Sequence, residues 1–453
     1  MSKPLPFIAL FSLLLLLLNS PPPSATALQL GIGIGIGGGG INIGGGGGSP
    51  PQQGSCPPPP RPFIPPFPPA PQMPPPLNQK LLALRQVILR FKRTITCDPQ
   101  RVTNSWLPNT SPCSYTGFYC GNPPKDRTLT IASVDFNGYG ICAPTINGFL
   151  DMFSDLALFH ANSNNFSGSV PDVSKLQYLY ELDLSNNLLK GNFPMTVLRI
   201  QDPVFLDIRF NQFSGSVPPQ VFTLPLDVLF LNNNGFYYNL PYDIGATPAA
   251  YLTLANNRFT GPIPASIKNT SNTLREVLFL NNRLSGCLPY EIGYLKKATV
   301  FDAGFNLLTG PIPCSFGCLT SIQQLNLAGN FLYGKIPEEV CELGSLRNLS
   351  LSDNYFTEIG PVCQSLVGTI LNIDQNCIPG FPKQRSAFEC QAFLSKPKYC
   401  EPKPYERYPP CKLNGYAAAP ARELPAAAKT TVAAPDHSPV YSTLNKRNNH
   451  RQL

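Results

Sequence analysis

Ten asparagines recur along the chain at intervals of 22 to 25 residues, and this period constrains the fold more than any other feature of the sequence. Residues 182–194 show the surrounding frame, L-x-L-x-x-N-x-L-x-G-x-F-P. A single copy cannot bury its own apolar residues, so neighbouring copies must stack into a solenoid with a continuous core. The repeated residues are Asn164, Asn187, Asn211, Asn234, Asn257, Asn282, Asn306, Asn330, Asn354 and Asn376.

The frame predicts an α/β-type leucine-rich repeat solenoid of about 10–11 plant-type copies over residues 129–380, the first of them degenerate, with Tyr139 in the asparagine slot. We expect each buried asparagine to satisfy backbone groups of its own and adjacent turns, which is a structural role. An open solenoid would expose its core at both ends. Residues 77–128, which include an amphipathic helix and Trp106, are predicted as an N-terminal cap, and cysteine-rich residues 381–411 as a C-terminal cap.

The two ends of the chain differ from its middle in composition. Residues 1–27 have the order of a secretory signal peptide, with cleavage expected after Ala27. Residues 28–76 form a predicted disordered arm, since residues 31–48 contain 12 glycines and residues 50–76 contain 15 prolines. Residues 412–453 are predicted to be a disordered tail. No later stretch is long and apolar enough to span a membrane, so we expect a secreted protein.

Charge is distributed unevenly along the chain. The whole sequence carries a formal net charge of +8, but residues 98–395 contain 17 basic and 22 acidic residues, a net charge of −5. A nucleic-acid-binding protein would place basic residues on its fold. The acidic charge of these residues therefore argues against a nucleic-acid-binding protein and favours a cationic partner.

Fourteen cysteines in an exported chain indicate disulfides, and three scattered histidines do not suggest a metal site or a cofactor. Cys113 with Cys120 is the expected local pair, and stacking would bring Cys318 level with Cys341. Cys287 with Cys314 is a looser candidate. Cys377 at the end of the repeats and Cys390 of the C-terminal cap are expected to help close that end, whereas Cys56 could link two chains into a homodimer. Predicted glycosylation acceptors are Asn109, Asn165, Asn269 and Asn348.

Several motifs together resemble the leucine-rich repeat extensin family of plant cell-wall proteins. They are the cap sequences at residues 104–106 and 113–120, the repeat sequences at 157–164, 181–187 and 206–211, and the segment 376–386. The chain looks like a truncated member, because Ser438-Pro-Val-Tyr-Ser replaces the family's long extensin domain. The resemblance implies location in the cell wall or apoplast. It also implies binding of cationic, cysteine-containing RALF-type signalling peptides, and a role in wall integrity and cell expansion.

Side chains between the inward repeat positions should project from the concave sheet, and their mixture of aromatic and acidic groups suits a basic, partly apolar peptide. The predicted contact residues are Tyr180, Glu181, Asp183, Phe205, Asp207, Arg209, Phe210, Asp227, Phe230, Tyr251 and Leu278.

Three other functions remain open from the sequence. A defence protein similar to polygalacturonase inhibitors would share the repeat and the N-terminal cap, and a structural wall protein would act through its proline-rich arm. Pectin or another wall component is a further possible ligand. Catalysis is disfavoured, because His160 lies on a solenoid strand without a nucleophile in its motif, and His437 and His450 lie in the tail.

Overall fold

A computed structural model describes residues 77–397, 399–400 and 409–411. The predicted signal peptide, the arm with Cys56 and the tail after residue 411 lie outside this part of the chain. None of the helices in the described ranges is long and apolar enough to cross a membrane.

The described residues contain a twelve-stranded sheet that runs through every repeat. Its first pair is antiparallel and the following pairs are parallel, with one strand contributed by each coil. The predicted leucine-rich repeat solenoid is thereby confirmed. Its strands are β1 (Phe118–Gly121), β2 (Thr130–Asp135), β4 (Leu158–His160), β6 (Glu181–Asp183), β8 (Phe205–Asp207), β10 (Val228–Phe230), β12 (Tyr251–Thr253), β14 (Glu276–Leu278), β16 (Val300–Asp302), β18 (Gln324–Asn326), β20 (Asn348–Ser350) and β22 (Leu371–Asn372).

A second sheet, of ten strands in the same described region, follows the repeat asparagines. Its strands are β3 (Cys142–Ala143), β5 (Asn165–Gly168), β7 (Leu188–Asn192), β9 (Gln212–Gly215), β11 (Gly235–Asn239), β13 (Arg258–Gly261), β15 (Arg283–Cys287), β17 (Leu307–Gly310), β19 (Phe331–Ile336) and β21 (Tyr355–Ile359).

Short 3₁₀ helices connect the second sheet back to the first in most coils. They span Leu150–Met152, Met195–Arg199, Pro219–Thr223, Tyr242–Ala246, Ala265–Thr270, Tyr290–Tyr294 and Cys314–Cys318. Two more, Val102–Ser105 and Pro112–Ser114, precede β1. The described α-helices are α1 (Gln79–Lys92), α2 (Glu338–Cys341), α3 (Pro361–Gln364) and α4 (Ala387–Leu394).

The repeat asparagines join each coil to the preceding one. Asn257 Oδ1 accepts the Phe236 backbone N–H at 3.0 Å, while its Nδ2 donates to the carbonyl of Leu231 at 3.0 Å and that of Leu254 at 3.1 Å. All ten asparagines accept an N–H from the coil before them and donate to one of its carbonyls. These bonds pair backbone groups that would otherwise be buried without partners.

Helix α1 closes the N-terminal end of the core. Asn78 Oδ1 accepts the N–H of Leu81 and caps the helix. One face of α1 is buried, and the Phe91 ring stacks on Phe149 with centroids 4.0 Å apart. Trp106 is completely buried, and its indole donates to the Thr116 carbonyl at 3.0 Å. The face buries Leu81, Leu84, Val87, Ile88 and Phe91.

Six disulfides lie within the described residues, and two of the expected pairings are wrong. Cys341 bonds to Cys363 one coil later, and not to Cys318, although the expected reach of one coil is correct. Cys287 pairs with Cys400 rather than with Cys314, because the chain after α4 turns back along the solenoid. The full set is Cys97–Cys142, Cys113–Cys120, Cys287–Cys400, Cys318–Cys411, Cys341–Cys363 and Cys377–Cys390.

The C-terminal cap is held to the last coils by an aromatic stack. Phe393 of α4 lies on the ring of Tyr355 with centroids 3.7 Å apart, and the Arg385 guanidinium lies 4.5 Å from the centre of the same ring. Arg385 Nε also donates to the Asn354 carbonyl at 2.8 Å. These contacts attach the segment after the last repeat to β21 through Tyr355.

Candidate functional site

The outward face of the twelve-stranded sheet, called the sheet face below, is a set of parallel columns of side chains. In β6, β10 and β14 the middle residue points into the core, and the first and third residues are partly exposed. In β8 and β12 the third residue is buried as well. The register places Glu181 beside Phe205 and Asp183 beside Asp207. Residues that are distant in sequence therefore form one continuous surface.

The structure brings most of the predicted contact residues to this face. Glu181 and Asp183 lie on β6, Phe205 on β8, Phe230 on β10 and Tyr251 on β12. These five residues and four others of the predicted set are half-buried, so part of each side chain is accessible to a ligand. The half-buried set is Glu181, Asp183, Phe205, Arg209, Phe210, Asp227, Phe230, Tyr251 and Leu278.

The other two predicted contacts need correction, because the structure buries them. Tyr180 is 5% exposed and packs with Tyr178 and Ala157 in a small cluster of its own. Asp207 is 0% exposed. Alternation along the strand predicts an outward direction for Asp207, but Asp183 and Phe230 flank it in register and Arg209 lies against its carboxyl group. Neither side chain is available to a ligand.

A group of ionisable side chains occupies strands β4 and β6. His160 Nε2 lies 2.9 Å from Glu181 Oε2, and both side chains are about one-quarter to one-third exposed. Burial lowers the pKa of His160, but the hydrogen bond to Glu181 and the charges of Glu181, Asp183 and Asp135 outweigh it. The pKa of His160 is therefore higher than that of an ordinary histidine.

Asp207 is a buried residue of β8 that contacts Arg209 beneath the sheet face. Arg209 Nε lies 2.9 Å from Asp207 Oδ2 in a close contact that lacks hydrogen-bond geometry. Burial and the nearby carboxylate of Asp183 raise the pKa of Asp207 to about 8, against the opposing effect of Arg209. The Arg209 guanidinium lies 4.9 Å from the centre of the Phe230 ring. Asp207 therefore acts by positioning Arg209 and contributes little negative charge at neutral pH.

Aromatic rings adjoin this ionic group. Phe205 and Phe230 meet edge to face with centroids 6.2 Å apart, and His160 lies 6.5 Å from Phe205. Tyr251 follows on the next strand, with Val228 as its register partner. The face thus presents carboxylates on β6 beside apolar rings on β8, β10 and β12.

The acidic residues of the face also have a local structural role. Asp183 Oδ1 accepts the N–H of Ser185 at 2.9 Å, and Asp135, Asp207 and Asp302 make the same bond to the residue two places on. Such bonds end each strand in a turn. One oxygen of each carboxylate is therefore engaged by its own coil, and the residue type alone does not identify a binding site.

The His160–Glu181 pair and the contact of Arg209 with Phe230 were not predicted from the sequence. The His160–Glu181 pair could have been predicted from the repeat frame. His160 and Asp183 each stand four residues before a repeat asparagine, and Glu181 stands six before, so stacking makes these positions neighbours. No comparable sequence signal marks the guanidinium over Phe230.

Predicted glycosylation acceptors lie on exposed positions, and one of them is on the sheet face. Asn348 begins β20 and is exposed, beside Gln324 of β18. Asn109, Asn165 and Asn269 are exposed elsewhere. A glycan on Asn348 would cover the C-terminal part of the sheet face. The strands from β4 through β14 would stay accessible to a ligand.

Metal-ligating groups are not clustered in the described ranges, where no three His, Cys, Asp or Glu side chains are placed to share an ion. The six disulfides are typical of proteins that fold in an oxidising compartment and act outside the cell.

Comparison with family models and solved structures agrees with the fold. The leucine rich repeat N-terminal domain matches residues 85–121, and the leucine rich repeat matches residues 321–343. A plant ice-binding protein of known structure aligns with a TM-score of 0.54 and 24% identity, covering 67% of this chain and 97% of that chain. This last similarity shows the solenoid fold alone.

Relatives in Arabidopsis thaliana identify the family. Leucine-rich repeat extensin-like protein 6 is 42% identical over 335 residues, which are 73% of this chain and 70% of that protein. Leucine-rich repeat extensin-like protein 7 is 36% identical over 72% of this chain and 74% of its own length. Protein 2 of the same series is 42% identical over 72% of this chain, although the match spans 41% of that protein. The chain belongs to the leucine-rich repeat extensin-like family.

Proposed function

We propose that the sheet face binds a secreted cationic peptide of the cysteine-containing RALF type, and that the protein acts by this binding in plant cell-wall integrity and cell expansion. The observation that carries the proposal is the contiguity of acidic and aromatic side chains across β6, β8, β10 and β12. The function is that of a binding protein and needs no catalytic group.

Charge supports a basic ligand at one end of this surface. Glu181 and Asp183 are half-exposed on one strand, and Asp135 lies two strands away. The Arg209 guanidinium lies over the Phe230 ring, so it neutralises little of the negative charge of these carboxylates. Exposed carboxylates of this kind mainly accelerate the approach of a cationic partner and give binding its dependence on salt.

Apolar contact would come from Phe205, Phe230 and Tyr251. Half-buried aromatic rings at the centre of a surface are the residue types that supply most of the free energy at protein interfaces. Phe205 and Phe230 support each other edge to face, so their positions are fixed before a ligand arrives. Such preorganisation lowers the entropic cost of binding.

Calorimetric titration of the secreted full-length protein with a synthetic RALF-type peptide tests the proposal. We expect Phe230→Ala to weaken binding by about 2 kcal/mol or more, as at a central interface anchor. Glu181→Gln with Asp183→Asn should mainly slow association and reduce its salt dependence. Matched controls are Phe388→Ala, an exposed ring on α4, and Glu358→Gln, an exposed acid on β21.

Two results would overturn the proposal. One is peptide binding that none of the sheet-face substitutions changes. The other is an absence of peptide binding together with capture of a fungal pectinase or of pectin, which would support the inhibitor-like or wall-ligand alternatives. A change produced equally by the control variants would likewise show that the sheet face is not the site.

A further inference from the structure

One tyrosine departs from the repeat in a way that the fold does not explain. The position four residues after the repeat asparagine is glycine in eight coils, each with a φ between 72° and 112°, and in a ninth it is Glu358, which does not have a positive φ. In the coil of Asn234 this position is Tyr238, which keeps a φ of 73°. An L side chain is disfavoured in this left-handed conformation. Strain of this kind persists where a side chain is needed for function.

Tyr238 is part of an exposed tyrosine cluster, which we define as Tyr237, Tyr238 and Tyr242. These side chains are 40%, 61% and 71% exposed. The rings of Tyr237 and Tyr238 support each other with centroids 4.6 Å apart. Tyr242 begins the 3₁₀ helix that follows β11. Three exposed rings within six residues are not required by a solenoid, whose other coils carry small or charged residues at the Tyr237 position in most copies.

The cluster borders a shallow groove of about 450 Å³. Tyr237 and Tyr238 form one side, and Met195 and Pro219 contribute apolar surface. Gly215 forms part of the lining, and a Cβ there would lie 2.8 Å from Asn192 Oδ1. The lack of a side chain at Gly215 therefore leaves the Asn192 amide at the groove, where Ser216 adds a hydroxyl. Every lining residue is uncharged at neutral pH.

We infer that this groove is a binding site for an uncharged polysaccharide chain, separate from the sheet face and independent of peptide binding. A sugar ring has an apolar C–H face, which packs against an aromatic ring, and a rim of hydroxyl groups that both donate and accept hydrogen bonds. Tyrosine hydroxyls, the Asn192 amide and the Ser216 hydroxyl also both donate and accept. The groove therefore matches both parts of a sugar.

The same chemistry argues against two other ligands. An acidic polysaccharide would bring carboxylates to a lining without a cation, and their desolvation would not be compensated. A proline-rich peptide lacks N–H donors, so it would use only the donors of these amide and hydroxyl groups. An uncharged glycan uses the donors and the acceptors, and is the occupant that the groove fits.

Affinity electrophoresis and calorimetry of the secreted full-length protein test this site, with cellohexaose, xylohexaose and mannohexaose as uncharged probes. We expect at least one of them to bind, and Tyr237→Ala combined with Tyr238→Gly to weaken that binding at least about 10-fold, as loss of two stacking rings should. Tyr238→Gly restores the residue of the other coils, so it will not unfold the protein. Tyr119→Ala is the control ring.

RALF-type peptide binding is measured on the same variants and should be unchanged. Failure of all three uncharged probes to bind overturns the site, as does binding that the two tyrosine substitutions leave intact. Stronger binding of a galacturonate hexamer, or of a proline-rich peptide that depends on the same tyrosines, would also overturn it in favour of that ligand.

Discussion

His160 Nε2 and Glu181 Oε2 lie 2.9 Å apart across the junction of β4 and β6, so that a titratable base meets a carboxylate at the edge of the sheet face. Since the pKa of His160 is raised, the stability that this ion pair contributes is fully present below the unfolded-state pKa of about 6.5 and is lost as pH rises through the folded-state value.

We therefore expect His160→Gln to destabilise the protein by up to about 1 kcal/mol in acid, and by less as the imidazole of the wild type becomes neutral. Denaturant melts at about pH 5 and at about pH 8 measure the difference. Glu181→Gln should give the same pH dependence. A loss of stability that is equal at both pH values, or larger at pH 8, would contradict the assignment.

The burial of Asp207 should be detectable in the pH dependence of stability when its carboxyl group is replaced by an amide. Because its pKa is raised to about 8, protonated Asp207 is favoured by folding, and the wild type loses stability as pH rises from about 4 to about 8. Asp207→Asn removes this titration, so the stability of the variant relative to the wild type should increase across that interval. The exposed Asp243→Asn serves as the comparison, and a flat difference would show that Asp207 is already ionised.

Asn257→Ala should be strongly destabilising, by about 2–3 kcal/mol, since it leaves the buried Phe236 N–H without a partner and removes one of the two hydrogen bonds to each of the Leu231 and Leu254 carbonyls. Thermal melting and secreted yield are the measurements. Asn272→Ala removes the same type of side chain from an exposed position and should have little effect. Similar melting of the two variants would show that the repeat asparagines are not the main links between coils.

The long-range disulfides should stabilise the fold more than the short one in the C-terminal cap. Cys318–Cys411 closes a sequence separation of 93 and Cys377–Cys390 one of 13. On chain entropy alone these bonds contribute about 4–5 and about 3 kcal/mol. We expect Cys318→Ser with Cys411→Ser to lower the melting temperature more than Cys377→Ser with Cys390→Ser. The reverse order would mean that the cap contributes more than the returning segment.

Tyr238→Gly should raise the stability of the protein by about 1 kcal/mol, because it relieves a left-handed conformation in a residue with a side chain. Chemical denaturation measures this gain. The reciprocal change Gly261→Ala should be destabilising, since its Cβ would lie 2.7 Å from the side chain of Asn239. A loss of stability in Tyr238→Gly would mean that the tyrosine is retained for packing.

Much of the architecture could be predicted from the sequence because the repeat asparagine fixes both the period and the stacking of the coils. The direction of Phe205 or Phe230 follows from that frame. The burial of Asp207 does not, since it depends on the side chains in adjacent columns. Nor does the partner of Cys318, because residues 409–411 lie beyond the last repeat and follow no periodic pattern. The presence of Tyr238 at a position that is glycine in most coils can be read from the aligned repeats alone.

Cys411 is bonded to Cys318, which lies between β17 and β18, and Cys400 is bonded to Cys287 of β15. These two bonds give the molecule a definite mechanical path. A pull on the chain beyond residue 411, opposed at the N-terminal cap, passes through the Cys318–Cys411 bond into the earlier coils. If that bond were reduced, the pull would pass back along the chain to Cys400 and through the Cys287–Cys400 bond into β15. The coils after Cys318 and helix α4 lie outside both routes, so they can keep their shape under load while either bond is intact.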